Sequence, residues 1–308
     1  AAVLGTDHTE IVVSPEDAMR VIPALPTIYD EPFADSSQIP TYLVSKMARE
    51  HVTVALSGDG GDELFGGYDR YQQINRLERL RNSLPASSRR LLGAVFQRLP
   101  VELWDRMGKG LPKFVLPPGL RHRTGYRMHK VGGLLAADGG SDLYASLMSI
   151  ENQGDSLVLG AEGDQLEFVG VPNVQQWDVS PFERAMLIDT LTYLPGDLLT
   201  KVDRASMAVG LEVRVPFLDP DLFQFAWSLS PAHRVRDGQG KWLLRELLRR
   251  SLPNHLVDRP KMGFGIPVGE WLRGPLRTWA DELLDPALVK EQAFFDSSEV
   301  ERRWNAHL

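Results

Sequence analysis

The 308-residue sequence has no cysteine. That excludes disulfide scaffolds, thiolate zinc sites and a cysteine nucleophile, and it fits a cytoplasmic protein. No apolar run approaches the ~18 residues that a membrane-crossing helix requires, so no membrane partner is expected. Positive charge is in deficit: 34 Lys and Arg stand against 41 Asp and Glu, a formal net charge of −7. The bases are scattered among the acids, which argues against nucleic acid as a partner. The opening AAVLGTDHTE lacks an initiator Met, a basic region and a long apolar segment, so it is no signal peptide. It enters an element midway, and the chain is expected to be a piece of a longer one. What is present is ordinary for a globular protein, at 43% hydrophobic and 24% charged. The length suffices for one large domain or two small ones.

The organising stretch is VTVALSGDGGDELFGGYDRY, residues 52–71. Residues 52–56 read as a short strand, 57–61 as a small-residue turn, and Asp62-Glu63 as a helix opening. A strand that stops at a glycine-rich turn and passes into a helix is how α/β proteins hold phosphates, through backbone N–H groups. This turn carries the carboxylates Asp59, Asp62 and Glu63. Bare carboxylates repel phosphate, so Mg²⁺ shared between the two reconciles them. The stretch is neither a Walker loop nor a calcium loop.

Around it, residues 8–13 read as a strand. Ser14-Pro15 caps a helix that Pro23 and Pro26 end, and residues 40–50 read as a second helix. Residues 62–82 read as one long helix with Arg70, Arg76, Arg79 and Arg81 on a solvated face. Another helix is expected over 87–97. Residues 100–178 carry little pattern, and Arg121-His122-Arg123 there reads as a solvated loop. Ser180-Pro181-Phe182-Glu183 has capping-box spacing. Pro195-Gly196 breaks that helix, a further one runs over 197–209, and Gly210 closes it. The tail reads as helical over 220–228, 241–251, about 271–284 and 297–308.

Three more groups of residues carry chemistry. In 197–207, Asp197, Lys201 and Arg204 share one helix face by spacings of four and three, with Asp203 off it. In 212–219, Glu212 and Arg214 point the same way from an extended, mostly apolar run, as a partly buried pair holding structure or a substrate carboxylate. Lys241 sits at a helix start, the wrong end for a cation, and so calls for an anion. Lys261 lies in RPKMGFG, where glycines permit close backbone approach.

Together these motifs resemble the synthetase domain of glutamine-hydrolysing asparagine synthetases. The matching strings are YDEP (29–32), LSGDGGDELFGGY (56–68), DLLTKVDRASMAVGLEVRVPFLD (197–219), Gly240-Lys241 with Leu244-Arg245, and Arg259-Pro260-Lys261 with Gly263-Phe264, in the family's order. The resemblance implies an α/β fold: an incomplete parallel-sheet core of the adenine-nucleotide α-hydrolase-like (ATP-pyrophosphatase) type, with a largely helical C-terminal part. It implies ATP and Mg²⁺ as cofactors. ATP adenylates the side-chain carboxylate of aspartate, pyrophosphate leaves, and ammonia from glutamine attacks the acyl-adenylate. By motif position, Leu56, Ser57 and Gly58 contact the nucleotide, Asp59 the acyl-adenylate, and Asp62 the magnesium. Lys241 stabilises the transition state and pyrophosphate, with Lys261 assisting. Glu212 orients or deprotonates the amine. Asp30, Glu31, Asp197, Lys201, Arg204 and Arg214 divide between substrate and structure.

Two departures stand out. The family's first phosphate loop, SGGxDS, is missing; the nearest string, DGGSDL at 138–143, has the wrong ends and place. The N-terminal glutaminase domain is missing too. Residues 1–308 are therefore expected to be a partial synthetase domain, little active by itself and compatible with a homodimer. The loop 33–37 also differs from the threonine- and arginine-containing version of some aspartate-specific members. Another carboxylate acceptor, such as a saccharide acid or a β-lactam precursor, stays open. So does a non-catalytic binding module, in which Asp62→Ala would leave function intact.

Overall fold

The computed structural model describes residues 1–100, 103–104, 106–107, 128, 131–133, 135, 144, 148, 157–160, 177–259 and 265–308. Lys261, Arg121-His122-Arg123 and the string at 138–143 lie outside the described residues. Helix α1 (Pro15–Met19) begins as the sequence indicates: Asp17 N–H donates to Ser14 Oγ (3.1 Å), and Ser14 N–H donates back to the Asp17 carboxylate (3.4 Å). Residues 8–13 form no strand. They are irregular, Val12 is 89% exposed, and no described strand pairs with them. Helix α1 ends at Met19, before the two prolines, and short helical turns continue through both. Pro23 sits in a 3₁₀ turn (Ile22–Ala24) and Pro26 in the first turn of α2 (Leu25–Tyr29). A first turn has no use for the N–H that proline lacks.

Helix α3 (Gln38–Arg49) leads to β1 (Val54–Leu56). The single helix expected over 62–82 is two, α4 (Gly61–Phe65) and α5 (Asp69–Asn82). The break is at Gly66, whose φ of +66° is left-handed and whose missing Cβ would lie 2.6 Å from the Phe182 ring. Helix α6 (Ala86–Arg98) follows, and α7 (Pro181–Leu191) starts at the Ser180–Glu183 capping box. Pro195-Gly196 does not break the chain. A π-helical turn (Leu194–Leu199) runs straight into α8 (Thr200–Met207). The wider turn tolerates the donor that Pro195 lacks, and Gly196 N–H still reaches Thr192 O at 2.8 Å.

Strand β2 (Glu212–Arg214) lies parallel to β1, with Val54 opposite Glu212 and Leu56 opposite Arg214. Two strands far apart in sequence thus meet side by side, which a hairpin cannot achieve. The tail is helical: α9 (Pro220–Ser228), α10 (Pro231–Arg234), α11 (Trp242–Leu248), α12 (Asn254–Val257), α13 (Val268–Arg273), α14 (Arg277–Leu283), α15 (Pro286–Gln292) and α16 (Ser297–His307). The described residues are thus mostly helical with a small parallel sheet, consistent with an α/β core.

Three apolar clusters position the site. Tyr71 and Ile74 of α5 pack on Phe182, Met186 and Ile188 of α7. Ala18, Val21 and Ile39 pack on Trp271. Leu64 and Phe65 of α4 pack on Ala226 of α9. Full burial of each large side chain contributes roughly 1.5–3 kcal/mol, so α4 is anchored from below by its own apolar face. Its acidic N-terminal residues are left facing the cleft.

Candidate active site

The turn after β1 opens onto a cleft of about 380 Å³. Gly58, Asp59, Gly60, Asp62 and Glu63 form one wall. The loop residues Asp35, Ser36 and Ser37 form another, with Tyr68, Tyr193 and Lys201 between them. The sequence separates these residues widely. Parallel pairing of β1 with β2, and packing of α3 against α8, bring them together.

The charges of this cleft are partnered within it or by neighbours such as Lys241 and Asp197, which stand beside it rather than lining it. Lys241 Nζ is 3.0 Å from Asp62 Oδ2. Lys241 is a non-glycine residue in the left-handed region, with φ of +56°, at the N-cap of α11. Such a conformation costs on the order of 1 kcal/mol and persists where the surroundings impose it. Here they do. Lys241 N–H donates to Phe65 O (3.0 Å), and a Cβ on Gly240 would lie 2.4 Å from Gly66 O. Only glycine allows that backbone contact, and the contact delivers the lysine to Asp62. The anion that a lysine at a helix start calls for is therefore Asp62.

Lys201 is 8% exposed and donates to Asp35 Oδ2 at 2.5 Å; Asp197 Oδ1 is farther, at 3.9 Å. Asp35 also accepts from Ser37 N–H (2.8 Å) and Ser37 Oγ (2.7 Å). Burial raises the Asp35 carboxyl, but these bonds outweigh it and the net shift is downward. Asp197 goes the other way. Burial first, then the Asp35 charge, push it up to about 6. Glu63 is 1% exposed. Its Oε1 accepts from Tyr68 OH (2.7 Å), its Oε2 is buried without a hydrogen bond, and burial pushes its carboxyl up.

Behind the aromatic wall lies a buried network. Arg70 covers the Tyr68 ring at 3.8 Å and the Tyr193 ring at 4.9 Å. It pairs with Asp189, which is fully buried, at 2.5 Å. Tyr71 OH also donates to Asp189 (2.5 Å), as does Tyr144 OH. Arg70 is therefore no member of a solvated face. Its guanidinium braces the tyrosines that line the cleft.

The remaining sequence candidates are placed as follows. Asp59 accepts from Ser57 Oγ at 2.7 Å, and Ser57 N–H donates to Arg214 O at 2.9 Å, so the turn is tied to β2. Leu56 is 72% exposed. Glu212 and Arg214 pair at 2.7 Å as expected, but both are exposed rather than partly buried. Asp30 pairs with Arg204 at 3.0 Å at the surface, and Glu31 is exposed. Glu31, Asp30, Arg204, Glu212, Arg214 and Leu56 do not line the cleft. Sequence reasoning assigns no role to Asp35, Tyr68 or Tyr193, and names Glu63 only as one of the turn's three carboxylates. The only signal for Asp35 was an acid in a polar loop, and for Glu63 its place in the turn.

The asparagine synthase family model matches residues 1–308. Among curated relatives, a protein named asparagine synthetase [glutamine-hydrolyzing] 1 from Bacillus subtilis is 31% identical over 296 residues, covering 92% of this chain and 42% of that protein. Putative asparagine synthetases from Mycobacterium bovis and Mycobacterium tuberculosis are 35% identical over 282 residues, covering 91% of this chain and 40% of theirs. The chain thus spans about two-fifths of the length of the curated relatives it matches. With the family's model matched along the whole chain, the chain belongs to the asparagine synthase family.

Proposed function

We propose that this chain contributes the amide-forming site of a glutamine-hydrolysing asparagine synthetase, on a core of the ATP-pyrophosphatase type. ATP adenylates the β-carboxylate of aspartate and pyrophosphate leaves. Ammonia released from glutamine elsewhere then attacks the acyl-adenylate, giving asparagine and AMP. The observation that carries this reading is the Lys241–Asp62 pair, held at 3.0 Å by a left-handed backbone beside the glycine-rich turn. Adenylation develops negative charge around the α-phosphate, and a preorganised lysine answers it. Lys241 neutralises the departing pyrophosphate, and Lys261 assists it. Asp59 meets the acyl-adenylate, with its carboxylate oriented by Ser57. Glu212, at the sheet edge, is the candidate for orienting the amine.

The residues fit Mg²⁺ carried on the nucleotide. Among the described residues no cluster of three or more acids or histidines forms a self-sufficient metal cage. A single hard carboxylate, here Asp62, with phosphate oxygens completing the shell, is the arrangement Mg²⁺ takes with nucleotides. When bound, the ion supplies charge neutralisation on the phosphates.

The test is aspartate-dependent pyrophosphate release from ATP, measured on this chain joined to the upstream portion of the Bacillus subtilis relative. Release is expected to need Mg²⁺ and to fall at least about 100-fold in Asp59→Ala or Lys241→Ala, by analogy with the loss of a preorganised charge-stabilising donor. A folded fusion that releases pyrophosphate equally well in both variants would refute the assignment.

A further inference from the structure

Three glycines surround the contact between Lys241 and Asp62, and two of them answer to the backbone. Gly66 is left-handed, and Gly240 packs on Gly66 O. Gly67 is different. Its φ is not positive, so no left-handed backbone calls for glycine there. The three nearest atoms that a Cβ on it would meet are Asp62 Oδ1 at 1.9 Å, Lys241 Cε at 2.4 Å and Asp62 Cγ at 2.9 Å. All three are side-chain atoms of the two charged residues. Gly67 N–H donates to Asp62 O at 2.8 Å, which turns residue 67 back onto α4. A glycine here costs stability, because it gives the unfolded chain more freedom. The ion pair that it admits returns little, since its two side chains are 32% and 21% exposed. Stability alone thus gives no reason for glycine at 67, and the meeting of Asp62 with Lys241 does.

We infer that Gly67 is a positioning residue for the amide-forming site: its missing side chain is the space in which the Lys241 stem and the Asp62 carboxylate come together. This deepens the function proposed above and rests on it for what the pair does. A methyl group at 67 leaves every charge and backbone hydrogen bond in place. It displaces only the ends of two flexible side chains, which swing aside without unfolding the chain. The lysine that answers charge on the phosphates is then offset from the carboxylate that meets the metal. Misplacement by ~1 Å is enough to cost a positioned group about 100-fold in rate.

Thermal unfolding of the chain itself tests the contact apart from any activity. In the wild-type background Gly67→Ala is expected to lower Tm by about 2 °C, as two side chains are pushed aside. In the Asp62→Ala/Lys241→Ala background the same substitution is expected to raise Tm by about 1–2 °C, as alanine does where the backbone accepts it. A Gly67→Ala chain too unstable to measure, beside a triple variant that folds, counts as the same reversal. In the fusion with the upstream portion of the Bacillus subtilis relative, Gly67→Ala is expected to lower kcat for pyrophosphate release at least about tenfold and to change KM for aspartate less than about twofold, the signature of a group acting in the transition state. The same Tm change in both backgrounds, of either sign, would make Gly67 a merely structural glycine and overturn the inference. So would an unchanged kcat in a fusion that Lys241→Ala inactivates. If Lys241→Ala leaves release intact, the adenylation reading fails instead, and the reversal in Tm alone decides whether Gly67 places the pair.

Discussion

Asp189 is the residue whose removal should tell most about how the cleft is held. Its carboxylate is fully buried and takes hydrogen bonds from Arg70, Tyr71 and Tyr144. Burial raises its carboxyl, with Arg70 pulling against that, while Arg70 is held above its usual range by Asp189. The two directions share one cause: the ion pair is maintained against desolvation, not free of it. Breaking one side of a buried pair costs ~3–5 kcal/mol, because the survivor is left charged in a dry place. Arg70 is 21% exposed and so rehydrates in part, which favours the lower end of that range. The two tyrosine hydroxyls lose their acceptor as well, and these losses are not additive. Asp189→Ala should therefore destabilise the chain by about 3 kcal/mol. With a urea slope of about 3 kcal/mol/M, the unfolding midpoint followed by far-UV circular dichroism falls by roughly 1 M. Arg70→Met combined with Asp189→Leu should recover most of the loss, since an apolar replacement of a whole buried pair is often neutral. A loss below about 1 kcal/mol for Asp189→Ala, or a double variant worse than the single, would refute the buried-network account.

Two smaller predictions concern the cleft. Asp197, raised to about 6 in the fold from an ordinary carboxylate value near 4, binds its proton more tightly folded than unfolded. Its unfavourable contribution is absent below pH ~4 and grows as pH rises to ~6. Discounted for its 30% side-chain exposure, it reaches about 1 kcal/mol at neutral pH. Asp197→Asn should match the wild type in urea unfolding at pH 4 and exceed it by about that amount at pH 7.5. A variant no more stable at pH 7.5 would contradict the assignment. Gly240→Ala places a Cβ 2.4 Å from Gly66 O and should cost about 1–3 kcal/mol, lowering Tm by several degrees and separating Lys241 from Asp62. An unchanged Tm would show that the two backbones are not in contact.

Local signals in the sequence were read well where the chain is stabilised by its neighbours in sequence. Both capping boxes, at Ser14 and Ser180, and the helical tail rest on hydrogen bonds spanning a few residues. Errors arose where a distant partner decides. Residues 8–13 end in the β-branched run Ile11-Val12-Val13, but a strand exists only with a neighbour to bond. The helix over 62–82 broke because Phe182, more than a hundred residues away, needs the space at Gly66. Arg70 looked like a surface charge because its partner, Asp189, lies in another helix. Pro195-Gly196 carried a break signal that a π-turn overrides by widening the ring of hydrogen bonds.

The candidate site divides the same way. The sequence alone determined the family, through long strings of residues in fixed order, and with it the motif positions of Asp59, Asp62 and Lys241. Tertiary structure decided which of the motif residues share a cleft. It set Glu212 and Arg214 at an exposed sheet edge and Asp30 with Arg204 at the surface. It brought Asp35, from a loop without assigned role, onto Lys201. It also gave Asp62 its lysine, through a glycine contact visible only when two backbones are laid together. Charge type is written in the residue. Burial and partner are set by parallel strand pairing and helix packing, which act between segments that the sequence keeps far apart.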